Sequence, residues 1–163
     1  LYNTSVAMDK DGKVVARHYK FELFGGEASQ LTVGPDINNS LFDTPAGKAA
    51  MLICADAQCI VTKLSAGPSC TAHSVKMLKE LFLQKKPAIV LFSAAWTIPP
   101  GNAPWGSIEV IKQIAQNNVW VVAAGNTRSK GPGGGVWKPG GDAVKSTTSS
   151  SPSVIVADIP FKK

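Results

Sequence analysis

Long apolar runs are missing from this chain. No stretch approaches the roughly 18 consecutive apolar residues that a membrane helix requires, so no membrane span is expected. Dense basic clusters are missing as well. Lys plus Arg number 17 against 11 Asp plus Glu, a formal charge of +6, but the cations are scattered and adjacent only at Lys85-Lys86 and Lys162-Lys163. A nucleic-acid groove concentrates such charge in a stripe with interleaved aromatics, so no nucleic-acid partner is expected. Histidine is scarce, and neither His18 nor His73 completes a four-ligand set with the cysteines, so neither a metal nor a cofactor is expected. No Gly-x-Ser-x-Gly elbow occurs, and no Ser-His-Asp arrangement is suggested. Gly131-Pro132-Gly133-Gly134-Gly135 lacks the Gly-Lys-Ser/Thr ending and the following helix of a phosphate loop, and reads as a flexible loop. There is no leader pattern either. The chain opens on Leu1-Tyr2-Asn3-Thr4-Ser5, without Met and without a charged and then apolar segment, as the interior of a longer protein would.

What is present describes a globular unit. The 163 residues are 44% hydrophobic and only 17% charged, enough for one core and unlike a disordered chain. The three cysteines, Cys54, Cys59 and Cys70, can close at most one bridge. A Cys59–Cys70 disulfide with Cys54 free suits an oxidising compartment, whereas three reduced thiols suit the cytosol. Asn3-Thr4-Ser5 and Asn38-Asn39-Ser40 fit the glycosylation acceptor at Asn3 and Asn38, although such triplets also recur by chance. Secretion is the expectation.

Val6–Met8 and Lys13–Arg17 flank a polar connection ending in Gly12, which predicts a β-hairpin. Residues 24–40, rich in Gly, Pro, Asn and Ser, read as an exposed loop. Ala49–Ile53 is a continuous apolar run, the mark of a strand buried on both faces. Val75, Leu78, Leu81 and Phe82 recur with helical spacing until Pro87. A second buried strand follows at Ala88–Phe92. Pro104 opens a further helical pattern with Ile108, Ile111, Ile114 and Ala115 on one face, and a third buried strand spans Val119–Ala124. Val136-Trp137 and the Lys138–Asp142 turn predict a closing hairpin, and Val154–Ala157 a last strand. Ser146–Ser151 reads as a loop. Strand, helix, strand, helix, strand in the centre implies an α/β architecture in a single unit, 1–163.

In open α/β sheets chemistry collects beyond the carboxyl ends of the strands. Cys54 follows the first buried strand, Ser93–Trp96 the second, and Gly125-Asn126 the third. A cysteine on a tight turn after a strand presents its sulfur to a cleft, and the thiolate it needs is favoured by a nearby positive charge. Asp56 is placed to orient that turn and to reach the pocket, Trp96 to wall it, and Asn126 to line it. A cysteine at a strand end is, taken alone, more often a small buried hydrophobe.

Several segments, in order, resemble the nitrilase superfamily, and most closely its vanin and biotinidase branch. They are Leu1–Thr4, Asp11–Arg17, Tyr19-Lys20-Phe21-Glu22-Leu23-Phe24-Gly25-Gly26-Glu27, Phe42–Pro45 with Gly47, Leu52-Ile53-Cys54-Ala55-Asp56, Ala94-Ala95-Trp96 and Asn118–Asn126. The resemblance implies a portion of a four-layer αββα sandwich and a Glu-Lys-Cys triad that hydrolyses carbon–nitrogen bonds through a thioester. It makes Cys54 the nucleophile, Lys20 the oxyanion-stabilising lysine and Glu27 an auxiliary glutamate.

Two departures from the family pattern stand out. The general-base glutamate of the family lies in an amino-terminal part with no counterpart among these residues. A companion chain of the same precursor is therefore the expected partner, bound against apolar sheet surface, and a higher oligomer is compatible with it. The run after the nucleophile, Cys54-Ala55-Asp56-Ala57-Gln58-Cys59, replaces the family's bulky aromatic with a small residue. Two functions follow as expectations: a secreted thiol amidohydrolase acting on a small linear amide of the pantetheine or biocytin type, or an inactive binding or structural protein on the same scaffold. Acyl transfer would share the thioester with hydrolysis.

Overall fold

The computed structural model describes residues 1–61, 70–95, 107–125, 134–147 and 153–160. Strands β1 (Thr4–Met8) and β2 (Val14–Tyr19) pair antiparallel as the expected hairpin. The Asp9 carboxylate closes its turn by accepting from the N–H groups of Asp11 (3.0 Å) and Lys13 (2.9 Å), and Gly12 supplies the left-handed φ of +77° that the turn requires.

A six-stranded sheet carries the rest, in the order β3-β4-β5-β6-β7-β8. Its strands are β3 (Leu41–Thr44), β4 (Gly47–Ile53), β5 (Ile89–Ala94), β6 (Trp120–Gly125), β7 (Gly134–Trp137) and β8 (Ala143–Thr147). The three apolar runs recognised in the sequence are β4, β5 and β6, which pair in parallel at the centre. Antiparallel pairs flank them: β3 on β4, β7 on β6, and β8 on β7. Parallel neighbours need crossovers. α1 (Gln58–Val61) and α2 (Ala72–Lys79) make the first, and α3 (Ser107–Ala115) the second.

Register then sorts the side chains. Ala50 pairs with Val90 and Val90 with Val121; Leu52 pairs with Phe92 and Phe92 with Ala123. These residues face the helices and share one core with Val75, Leu78, Leu81, Val110, Ile111 and Ile114. The hairpin touches β4, and Ser5 Oγ lies 3.5 Å from Ser93 Oγ. Ser93 belongs to the alternate set, facing away from the helices. Helix layer, sheet and hairpin thus stack as α, β and β, three layers of the expected sandwich.

Four expectations change. Gly134 and Gly135, read as part of a flexible loop, are buried residues of β7, paired on both sides. α2 does not run on as a regular α-helix to Pro87: Glu80–Lys85 widens into a π turn that still buries Leu81 and Phe82, and Lys86 ends it in left-handed backbone (φ +47°). Residues 24–40 are more than an exposed loop. Two 3-10 turns, Gly25–Ser29 and Asn38–Ser40, occur there, and Ile37 and Ser40 are fully buried. Val154–Ala157 forms no strand. The segment is extended and alternates in burial, but no ladder partner is present among the described residues, and Val154 and Val156 stay exposed. Pro104 and residues 148–151 of the Ser/Thr cluster lie outside the described residues.

Gly34 ties the loop to the end of β2. Its N–H donates to the Lys20 carbonyl at 2.9 Å, and a Cβ there would stand 2.1 Å from the Tyr19 carbonyl oxygen. Backbone cannot yield as a flexible side chain does. Gly34→Ala is therefore expected to cost about 2–3 kcal/mol in urea unfolding, as overpacking against main chain does. A loss below about 0.5 kcal/mol, the level of an ordinary surface change, would show that the loop simply moves away.

Candidate active site

Cys54 directly follows β4 and opens a 3-10 turn, Cys54–Ala57. Its φ is +46°, in the left-handed region where a residue with a Cβ is strained. Such backbone persists only when its surroundings over-determine it. Here Asp56 does so. One of its carboxylate oxygens accepts the Ile53 N–H at 2.9 Å and lies 2.6 Å from His18 Nε2. The other accepts the N–H groups of Phe21 and Glu22, both at 2.9 Å.

Lys20 directly follows β2 and continues its line. Strand alternation puts Ala16, His18 and Lys20 on the inward face, and all three are buried, Lys20 to 2% exposure. The Lys20 ammonium pairs with a Glu27 carboxylate oxygen. That same oxygen accepts the Phe24 N–H at 2.8 Å, and the other oxygen accepts Asn3 Nδ2 at 2.9 Å. Two ties hold the segment on either side. Glu22 accepts from the Thr71 N–H (3.1 Å) and hydroxyl (3.0 Å) at the start of α2, and His73 Nε2 lies 2.8 Å from the Gly34 carbonyl. Close by, a Cys59–Cys70 disulfide fastens α1 to the residue preceding that helix cap. Glu22, Cys59 and Cys70 lie within metal-ligand distance of one another, but both sulfurs are consumed by the bridge, so the cluster offers no thiolate to an ion.

Lys20, Glu27 and Cys54 line one open cleft of about 610 Å³. Asn3 and Phe24 stand on its rim side, and Ser93, Ala94, Ala95, Ala124 and Gly125 form the strand-end floor. Small residues there leave room for a substrate chain. Burial pushes the Cys54 thiol above its ordinary 9.0. The Lys20 charge and the backbone N–H groups of Ala95 and Ala55 act in the opposite sense without overcoming it, and the Asp56 charge adds to the rise. Cys54 is therefore a thiol at neutral pH and needs a base to take its proton. Burial also works to raise Glu27, but the bonds from Lys20, Phe24 and Asn3 hold its carboxyl below the ordinary 4.5. Glu27 is ionised and fully engaged, which suits it to orienting Lys20.

The structure thus brings together Cys54, Lys20 and Glu27 from positions 34 and 7 residues apart in sequence. Asp56 orients the turn as expected but does not reach the pocket. It is fully buried behind the turn and has no surface on the cleft, because its four hydrogen-bond partners all lie on the protein side. Asn3, expected as a glycan acceptor, turns its amide nitrogen to Glu27 and lines the cleft, so a glycan on that nitrogen would stand in the cleft. Asn38 is exposed and free of that conflict. Trp96 and Asn126 lie outside the described residues. His18 has no role in the sequence reading beyond being an insufficient metal ligand, and its contact with Asp56 emerges only in the fold. The alternation Ala16, His18, Lys20 is the signal that points to it.

No family model matches the chain. Symplectin of Sthenoteuthis oualaniensis is 27% identical over 142 residues, 86% of this chain and 24% of symplectin. The omega-amidase NIT2 of Bos taurus is 23% identical over 176 residues, 100% of this chain and 57% of the relative. Pantetheinase of Mus musculus is 44% identical over 55 residues, 34% of this chain and 10% of that protein. Among solved structures, the NitN amidase from Nesterenkonia sp. AN1 superposes with a TM-score of 0.67 at 17% identity, covering 96% of this chain and 56% of the amidase. A glutamate-to-glutamine mutant of the amidase from the same organism, with the acetamide moiety of fluoroacetamide added covalently at its active-site cysteine, gives 0.66 at 16% identity over 90% of this chain and 51% of that one. The chain spans about a quarter of symplectin and just over half of the omega-amidase.

Proposed function

We propose that this chain, which belongs to the nitrilase superfamily, carries the nucleophile and the oxyanion-stabilising lysine of a thiol amidohydrolase. One observation supports this above the rest: Cys54, held in left-handed backbone at a strand end, opens on the same cleft as the buried Lys20–Glu27 pair. A base takes the Cys54 proton as Sγ attacks the amide carbon. The new C–S bond pushes the carbonyl electron pair onto oxygen, where the Lys20 ammonium stabilises it. Collapse breaks the C–N bond, and the amine leaves with the proton the base had taken. Water activated by the same base then cleaves the thioester and returns the thiol.

Among the described residues, Glu27 is the only carboxylate on the cleft, and it is committed to Lys20. We therefore assign the base to a glutamate outside residues 1–163, on a companion segment or chain of the same precursor. The outward face of the hairpin, with Val6, Met8 and Val15 exposed, is apolar surface such a partner would cover. For substrate, the small strand-end residues and the local identity with pantetheinase favour a small linear amide of the pantetheine or biocytin type. The disulfide, with Asn38 as an accessible acceptor, supports a secreted glycoprotein. An inactive scaffold is the second reading. The raised Cys54 thiol favours it wherever no base is supplied.

The test uses the full-length protein. It is mixed with a panel of linear amides, quenched, and the peptide carrying Cys54 is weighed while released amine is measured. An acyl adduct on Cys54 matched by amine release is the expected result. No adduct and no amine from any member of the panel would sink the amidase reading.

A further inference from the structure

His18 and Asp56 are both wholly buried, and neither reaches the cleft. Burying an imidazole against a carboxylate is expensive unless every remaining polar site is satisfied. Here the carboxylate is fully satisfied, in a particular way, while one imidazole nitrogen is not. Asp56 collects three backbone N–H groups: Ile53, the residue before Cys54, and Phe21 and Glu22, the two after Lys20. Backbone N–H groups can only donate, so the carboxylate acts purely as acceptor. His18 Nε2, at 2.6 Å, then carries the proton of the fourth bond. His18 sits two residues before Lys20 on the same face of the β2 line, edge-on to Phe21. One side chain therefore grips the chain on both sides of the cleft, and the other grips the first.

We propose that the His18–Asp56 pair is a positioning device that fixes the distance between the Cys54 sulfur and the Lys20 ammonium. This rests on the assignment of Cys54 as nucleophile and Lys20 as its partner, and adds two positioning residues to it. A merely structural filler would be served better by apolar groups of the same volume. The remaining nitrogen, His18 Nδ1, is buried with no hydrogen-bond partner among the described residues. The carboxylate therefore holds the ring through Nε2 alone. Loss of the pair lets the left-handed turn relax. Cys54 then leaves the N–H groups of Ala55 and Ala95 and the Lys20 charge, the three influences that favour its thiolate.

The test compares the full-length wild type with His18→Phe, which keeps the ring volume but cannot donate, and His18→Gln, which can place an amide N–H near the Nε2 position. Three quantities are read: the pH–rate profile of Cys54 alkylation by iodoacetamide, kcat and KM for an amide that acylates the wild type, and the melting temperature. His18→Phe is expected to move the alkylation midpoint upward by about one pH unit. It is also expected to lower kcat by about 10- to 100-fold, the scale of a 1 Å misplacement, with KM changed little. His18→Gln is expected to recover most of both. Alkylation and kcat within twofold of wild type in His18→Phe would overturn the proposal. So would equal losses in both variants that follow their melting temperatures. Should the variants not fold, the ring-nitrogen NMR shifts of wild-type His18 decide instead: a proton held on Nε2 supports the pair, and one on Nδ1 overturns it. Wild-type protein that hydrolyses no amide, yet shows the same alkylation order, would refute the amidase reading and support the positioning pair.

Discussion

Cys54→Ala is expected to abolish amide turnover, by about 10⁴-fold or more, while the melting temperature stays within about 2 °C of wild type. The size of the effect follows from the lack of a substitute. Ser93 also reaches the cleft, but it sits on β5 with its hydroxyl near Ser5, away from the turn that presents Cys54 to backbone donors. Cys54→Ser should fare little better, losing about 10³-fold, because an alkoxide is far harder to generate than a thiolate. Stability tells the complementary half. Cys54 occupies left-handed backbone, so Cys54→Gly should be about 0.5–1 kcal/mol more stable than Cys54→Ala, an order opposite to that found in helices and strands. Kinetics on the three variants with parallel thermal unfolding check both halves. More than a tenth of wild-type kcat in Cys54→Ala would remove the cysteine from the mechanism.

Lys20→Met is expected to lower kcat by about 10³-fold, the upper range for losing a donor to a developing oxyanion. KM should change less, because the charge acts on the transition state more than on the bound amide. Lys20→Arg should not rescue: the site is buried to 2% exposure, and a planar guanidinium cannot replace a compact ammonium there. An acid-stability signature accompanies the kinetic one. Glu27 is held below its ordinary 4.5 by Lys20, Phe24 and Asn3 against the opposing effect of burial. A carboxylate depressed in the folded state contributes stability in full above its unfolded value and loses it as pH falls through the folded value. Wild type therefore resists acid below pH 4.5 better than Lys20→Met, in which Glu27 returns toward its ordinary value. Acid titrations followed by circular dichroism should place the variant's unfolding midpoint at the higher pH. Coincident midpoints would mean that the ion pair has no thermodynamic weight.

The central sheet is legible in the sequence because β4, β5 and β6 are written as unbroken apolar runs separated by helical spacing, and both signals depend only on local periodicity. Cys54 is visible for the same reason, as the residue that ends the first run. Other features depend on contacts that no local window contains. The π turn at Glu80–Lys85 keeps the apolar spacing of an α-helix closely enough to be read as one. Val154–Ala157 has the composition of a strand, but a strand is made by its neighbour, and none of the described strands pairs with it. Asp56 is the clearest case. Two positions after a nucleophile it reads as a residue that orients the turn and reaches the pocket; the fold keeps the first role through the Ile53 N–H and spends the rest of the carboxylate on His18, Phe21 and Glu22, which lie 34 to 38 residues away. Asn3 is masked by its sequon, which describes a triplet and not the carboxylate that meets its amide.

The distant bonds at Asp56 also set when the chain acquires its chemistry. His18 and Asp56 are 38 residues apart, and joining them closes a loop whose entropy must be met before the bond forms. Local folding of β4 alone cannot hold the left-handed turn, so a nascent or partly opened chain displays Cys54 as an ordinary surface thiol. The sulfur therefore reports on tertiary closure from within the molecule. Its slow labelling in mild denaturant should track the opening of the β2–β4 junction, and should match the hydrogen exchange of the Phe21, Glu22 and Ile53 amides that the same carboxylate protects.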